Sequence, residues 1–331
     1  MDRTGYLAAG QANYALRAQA EGMADAVCEK GFQNIFFVGS GGSLMMLDSF
    51  RYLFFQKSDI PAYAMSAAEV VTCGSKQINE RSLAVLLTLN GTSDIAQAAQ
   101  ALKARGATIV AFVGVEGCPV EQQADYVLCN KERDTPLRYL MLQFFCYKVL
   151  HNVGGFLEYP QFAQQIQALP EVFLSVREQF AEWGRSFGQT AARQGFILWL
   201  SSGAAYSECA RYAGCTVEEM VRIKTQTVNS AEFFHGPFEL VDRDLCVVLV
   251  KNVDGNRALE ERVERFLERF SHNYYVLDFD KVDLKGIDRA FLPYIIAPLT
   301  TLVLKAEVQP HLEAVTGLSA ATRKYYGVEQ Y

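Results

Sequence analysis

Short apolar runs of six or seven residues, each closed by glycine, serine, threonine or asparagine, alternate along the chain with longer stretches that mix apolar and charged positions at helical spacing. Strands buried on both faces read as continuously apolar, so the alternation predicts a parallel sheet covered by helices on both sides. In the first half the strands fall near 34–39, 61–65, 82–88, 107–113 and 125–129. Between two of them, 94–105 (DIAQAAQALKAR) is rich in helix formers and stops at Gly106.

The pattern then repeats. The run 35–43 (IFFVGSGGS) returns at 197–205 (ILWLSSGAA), 162 positions later, and 84–90 (AVLLTLN) returns at 246–252 (CVVLVKN) with the same offset. At offsets of 163 and 166, 65–69 (MSAAE) matches 228–232 (VNSAE) and 107–113 (ATIVAFV) matches 273–279 (NYYVLDF). Four correspondences in one order make the chain two copies of one α/β unit. The expected fold is thus two tandem domains, 1–160 and 191–318, each a five-stranded parallel sheet in a three-layer αβα sandwich. A helical linker at 161–190, interrupted at Pro170, joins them, and a tail follows at 319–331.

With 331 residues, half of them apolar and 21% charged, the chain can bury a large core. A net charge of -6 with no basic stripe points away from nucleic acid. The N-terminus lacks a basic start followed by an apolar core, and no apolar run approaches the roughly 20 residues of a membrane span, so the expectation is a cytoplasmic protein with no membrane partner. Eight cysteines without a CxxC pair read as reduced core residues. The four histidines, at 151, 235, 272 and 311, lie far apart and pair with no cysteine or histidine at ligand spacing, which points away from a zinc or iron site.

In an open parallel sheet, ligands sit at the carboxyl ends of the strands, where glycines let the backbone approach an anion and helix N-termini add positive dipole ends. Two turns of the first copy suit a phosphate: Ser40, Gly41, Gly42 and Ser43 after the first strand, and Thr88, Asn90, Gly91, Thr92 and Ser93 after the third. Together they predict a neutral cradle of hydroxyls and N–H groups. Ordinary turns with Ser93 or Asp94 as helix N-caps would read the same way. No cofactor is expected, since GSGGSL lacks the GxGxxG spacing and no GxxxxGKS loop occurs. The second copy replaces Gly42 and Ser43 by Ala204 and Ala205, and offers instead Glu218, Glu219 and the segment 231–240 (AEFFHGPFEL) with His235. A glutamate and a histidine sixteen residues apart suit proton abstraction and delivery if they face one pocket. On spacing alone the plainer reading prevails, with Glu219 a solvated helix residue and His235 a cap for the helix at Pro237.

These motifs resemble the sugar isomerase (SIS) family over nearly the whole chain, in particular the isomerase half of glutamine:fructose-6-phosphate aminotransferase and the fructoselysine-6-phosphate deglycases. The resemblance rests on the SGGS turn at Ser40, the TLNGTSD turn at Thr88, the AEFFHGPFEL segment, and a glutamate sixteen positions before the histidine of HGP. The tail RKYYGVEQY is similar to the deglycase branch. The resemblance implies that Ser43, Thr88, Asn90 and Ser93 hold a substrate phosphate, that Glu219 is the base, and that His235 handles sugar hydroxyl protons from a neighbouring subunit of a homodimer. The third-strand turn of relatives reads Ser-x-Ser-Gly-x-Thr, which Thr88, Asn90 and Ser93 replace here. No residue aligns with the ring-opening lysine of the aminotransferase; Lys324 lies near that position. Further candidate contacts are Glu69, Glu232, Arg323, Lys324 and Tyr326.

The resulting expectation is a metal-free, cofactor-free deglycase acting on an Amadori sugar phosphate. Two rivals use the same scaffold, an aldose/ketose isomerase and an amino-sugar-phosphate deaminase. A third, the non-catalytic sugar-phosphate sensor, predicts an attached DNA-binding module, for which the roughly 30 residues before the first strand are too few.

Overall fold

The computed structural model of the chain describes residues 2–325, 328 and 329. The chain divides into two compact units, Met1–Pro170 and Glu171–Tyr331. The division falls inside the helix Leu169–Ala191, within the stretch read as a helical linker.

In the first unit, strands β1 (Asn34–Gly39), β2 (Ala62–Ser66), β3 (Ser82–Thr88), β4 (Thr108–Val113) and β5 (Tyr126–Cys129) form one parallel sheet in the order β2-β1-β3-β4-β5. Every residue of β1, β3 and β4 is buried, because helices cover both faces. Strand alternation sorts the core. Phe36, Val38, Ala84, Leu86, Ile109 and Ala111 pack with Val70, Ile95, Ala99 and Leu102 of the helices on one face. On the other, Phe37 meets Phe54 with ring centroids 5.8 Å apart, and Phe112 meets Phe145 at 5.3 Å. These partners come from the helices Gly42–Lys57 and Thr135–Asn152.

In the second unit, β6 (Phe196–Ser201), β7 (Lys224–Asn229), β8 (Cys246–Lys251) and β9 (Tyr274–Asp278) repeat the arrangement in the order β7-β6-β8-β9, all parallel. The expected fifth strand is replaced. Positions 292–295, which the repeat aligns with β5, begin the helix Leu292–Val303, with a proline in its first turn. Contrary to the expectation that no run suits a membrane span, the helical run Arg289–Thr316 is long and apolar enough to cross one by length and composition. Of its most apolar stretch 72% is buried inside the protein, as in a core helix. All eight cysteines are unpaired; Cys118, Cys146, Cys209 and Cys246 are buried and Cys73 is exposed.

Candidate functional site

The strand order 2-1-3-4-5 reverses between β1 and β3, and in open α/β sheets that reversal opens a crevice for ligands. Both predicted phosphate loops lie there. After β1, Gly41 takes φ +51° and the helix begins at Gly42, with the Ser43 N–H donating to the Ser40 carbonyl at 3.2 Å. After β3, the Gly91 N–H donates to the Thr88 hydroxyl at 3.0 Å. Gly91 has φ +64°, and a Cβ there would lie 2.5 Å from Cβ of Cys118, so the loop requires glycine on both counts. Thr92 precedes the helix Ser93–Ala104 without a side-chain capping bond, so neither Ser93 nor Asp94 is the N-cap.

The cradle is not neutral. The Asp94 carboxylate accepts hydrogen bonds from the hydroxyls of Ser40 and Thr92, tying the two loops together. Partial burial opposes its ionisation, but these bonds and those from backbone N–H groups outweigh burial and hold its pKa below the usual carboxylate range. Arg133, from the loop after β5, donates to the Asn90 side-chain oxygen at 3.2 Å and brings a guanidinium to the rim. Glu69 is engaged elsewhere. It accepts from the Ser66 N–H at 3.3 Å and from its hydroxyl at 3.1 Å, closing the capping box of the helix Ala67–Thr72.

In the second unit, the helix Gly203–Tyr212 widens into a π-helical turn, Ala213–Glu218, and Glu219 follows it at once. Such turns re-aim side chains and recur at functional sites. The two adjacent glutamates part company here. Glu218 accepts from the Thr225 hydroxyl at 2.7 Å and ties the turn to the start of β7, whereas Glu219 pairs with the guanidinium of Arg323 from the tail. Arg222, held at φ +61°, donates to the Thr322 carbonyl, so the same turn grips the tail twice. Lys324 lies with its ammonium 4.8 Å from the centroid of the Tyr325 ring. Tyr326 lies outside the described residues.

His235 stands exposed in the turn after β7, its N–H donating to the Glu232 carbonyl at 3.0 Å. The short helix Pro237–Leu240 has Gly236 at its N-cap and no side-chain cap, so His235 does not serve as one. The turn is anchored from beneath by Phe233, fully buried, whose ring centroid is 4.9 Å from that of Phe234 and 5.6 Å from that of Phe266. Arg262 covers Phe234 at 4.1 Å. Glu232 is exposed. Within one chain, Glu219 precedes β7 and His235 follows it, so a strand of six residues, about 17 Å long, separates the two positions. Sixteen residues of sequence spacing conceal that separation.

The second unit has its own reversal point, between β6 and β8. There the buried Glu260 accepts from the hydroxyl of Ser202 and from the Asn252 N–H at 2.5 Å. Desolvation pushes its pKa up from 4.5 to about 7, against the pull of these two donors. Because the folded value lies above the unfolded one, the group favours the folded state fully below about pH 4.5, and that contribution fades as pH rises through about 7. Urea unfolding at several pH values should show a loss approaching about 3 kcal/mol across this window, flattened in Glu260→Gln. An unchanged slope in the variant would show that Glu260 is not the titrating group.

Residues 31–152 match the SIS domain. The chain is similar to fructosamine deglycase FrlB of Bacillus subtilis strain 168, 28% identical over 276 residues that cover 82% of this chain and 84% of that one. It is also similar to fructoselysine 6-phosphate deglycase of Escherichia coli K12, 21% identical over 305 residues covering 90% and 87%. Among solved structures, a candidate phosphosugar isomerase from Bacillus subtilis matches with a TM-score of 0.86 at 25% identity, over 95% of this chain and all of that one.

Proposed function

Starting from a chain that carries a SIS domain and is related to phosphosugar deglycases and isomerases, we propose that it cleaves an Amadori sugar phosphate, such as fructoselysine 6-phosphate, into glucose 6-phosphate and a free amine. The observation that carries this reading is the β1/β3 crevice, whose two loops carry Ser40, Ser43, Thr88, Thr92 and Ser93 at the strand ends. Those groups, with the amide of Asn90 and the turns at Gly41, Gly42 and Gly91, bind the phosphate.

Glu219 removes a C1 proton from the open-chain ketose, giving an enaminol. Reprotonation at C2 produces an imine at C1, and water then releases the amine. The nitrogen spreads the developing charge, so the route needs no Lewis acid. His235 moves the sugar hydroxyl protons. The length of β7 between Glu219 and His235 supports a histidine supplied by a neighbouring copy of the chain. Incubation with fructoselysine 6-phosphate should release glucose 6-phosphate and lysine in equal amounts. Ammonia as the released amine would indicate a deaminase instead, and a sugar phosphate formed with no amine released would indicate an isomerase.

A further inference from the structure

Each unit fills the crevice at its own sheet reversal with one of its own carboxylates. In the second unit it is Glu260, buried, bound by Ser202 and Asn252. In the first it is Asp94, bound by Ser40 and Thr92 and partly open to solvent. By the internal repeat Ser202 is the counterpart of Ser40 and Asn252 that of Asn90, and Gly203 takes φ +58° where Gly41 takes +51°. The carboxylates themselves are not counterparts. Asp94 is the second residue of its helix, whereas Glu260 is the fourth residue of the helix Arg257–Phe270. Two unrelated positions thus bring a carboxyl group to the counterpart hydroxyls of Ser40 and Ser202, so the same hydroxyl is occupied from within in both units.

We infer that Asp94 is a specificity-determining residue, an internal anion that an incoming phosphate must displace from the hydroxyls of Ser40 and Thr92. This rests on the phosphate reading of the β1/β3 crevice and adds to it a competitor tethered in the crevice. A monoanion gains from the donors and the helix N-terminus only what Asp94 already gains, and it must do so against a tethered rival. A dianion interacts about twice as strongly with the same dipoles and prevails. The crevice therefore selects for doubly charged phosphate over carboxylates and other singly charged ligands. In the second unit the carboxylate is enclosed, which closes that crevice to ligands.

The test is calorimetric titration of the full chain with inorganic phosphate near pH 8, where it is largely a dianion, for the wild type, Asp94→Asn and Asp94→Ala. Both variants should bind phosphate about tenfold tighter than the wild type, with a gap that narrows as salt is raised. Acetate should bind only the variants, and the stoichiometry should stay at one phosphate per chain. In turnover of the sugar phosphate the variants should lower KM. Equal or weaker phosphate binding by folded variants overturns the role of Asp94 while leaving the phosphate site in place. No phosphate binding by any of the three proteins overturns both readings. Two phosphates per chain overturn the closure of the second crevice.

Discussion

Replacement of Glu219 by glutamine is expected to lower kcat about 10²- to 10⁴-fold, the usual value of a positioned general base, while KM changes little. Glutamine keeps the length and shape of the side chain, and its amide oxygen still accepts from Arg323, so the grip on the tail survives. What disappears is the capacity to take a proton from carbon. Stability should be nearly unchanged, because the Glu219–Arg323 pair is partly solvated and such pairs contribute little. Initial rates of glucose 6-phosphate release, with thermal unfolding as the control for folding, decide the matter. A folded variant with the wild-type kcat would remove Glu219 from the reaction.

Phe233→Ala should cost about 3–5 kcal/mol of stability, in the range for emptying a fully buried phenylalanine. The ring sits under the turn that carries His235, in contact with Phe234, Phe238 and Phe266, and Phe266 comes from the helix Arg257–Phe270. Removing it leaves a cavity that neighbouring half-buried rings fill only by giving up their own packing. The loss in stability should come with a fall in kcat, because the turn loses its floor while His235 itself is intact. Phe233→Leu should recover most of both. Denaturant unfolding alongside turnover tests this, and an alanine variant within about 1 kcal/mol of wild type would mean the site collapses without penalty.

Periodicity exposed the duplication, the parallel sheets and the two loops at the strand ends, because each is a local pattern or a pattern shifted by a fixed offset. Contacts made across strands were hidden. Nothing in 88–94 announces that Asp94 faces Ser40, since that depends on β1 and β3 being neighbours, and Arg133 reaches Asn90 from a third loop. The duplication implies a fifth strand in the second sheet, but the segment after β9 becomes a helix led by Pro293. Composition distinguishes an α-helix from a π-helical turn poorly, so the change in path before Glu219 had no signal. Glu69 and Glu232 look alike in the repeat, yet Glu69 closes a capping box and the Glu232 segment is a turn.

The placement of the proposed acid and base at opposite ends of β7 changes how loss of function is inherited between copies of the chain. If each reaction draws its glutamate from one polypeptide and its histidine from another, two separately dead variants complement. Coexpressed Glu219→Gln and His235→Ala chains would assemble into mixed pairs with one intact centre out of two. Random pairing then restores about a quarter of full turnover, whereas a chain carrying both changes restores none. Under this arrangement, the gene product that is selected is the pair, and damage in one partner is masked by the other.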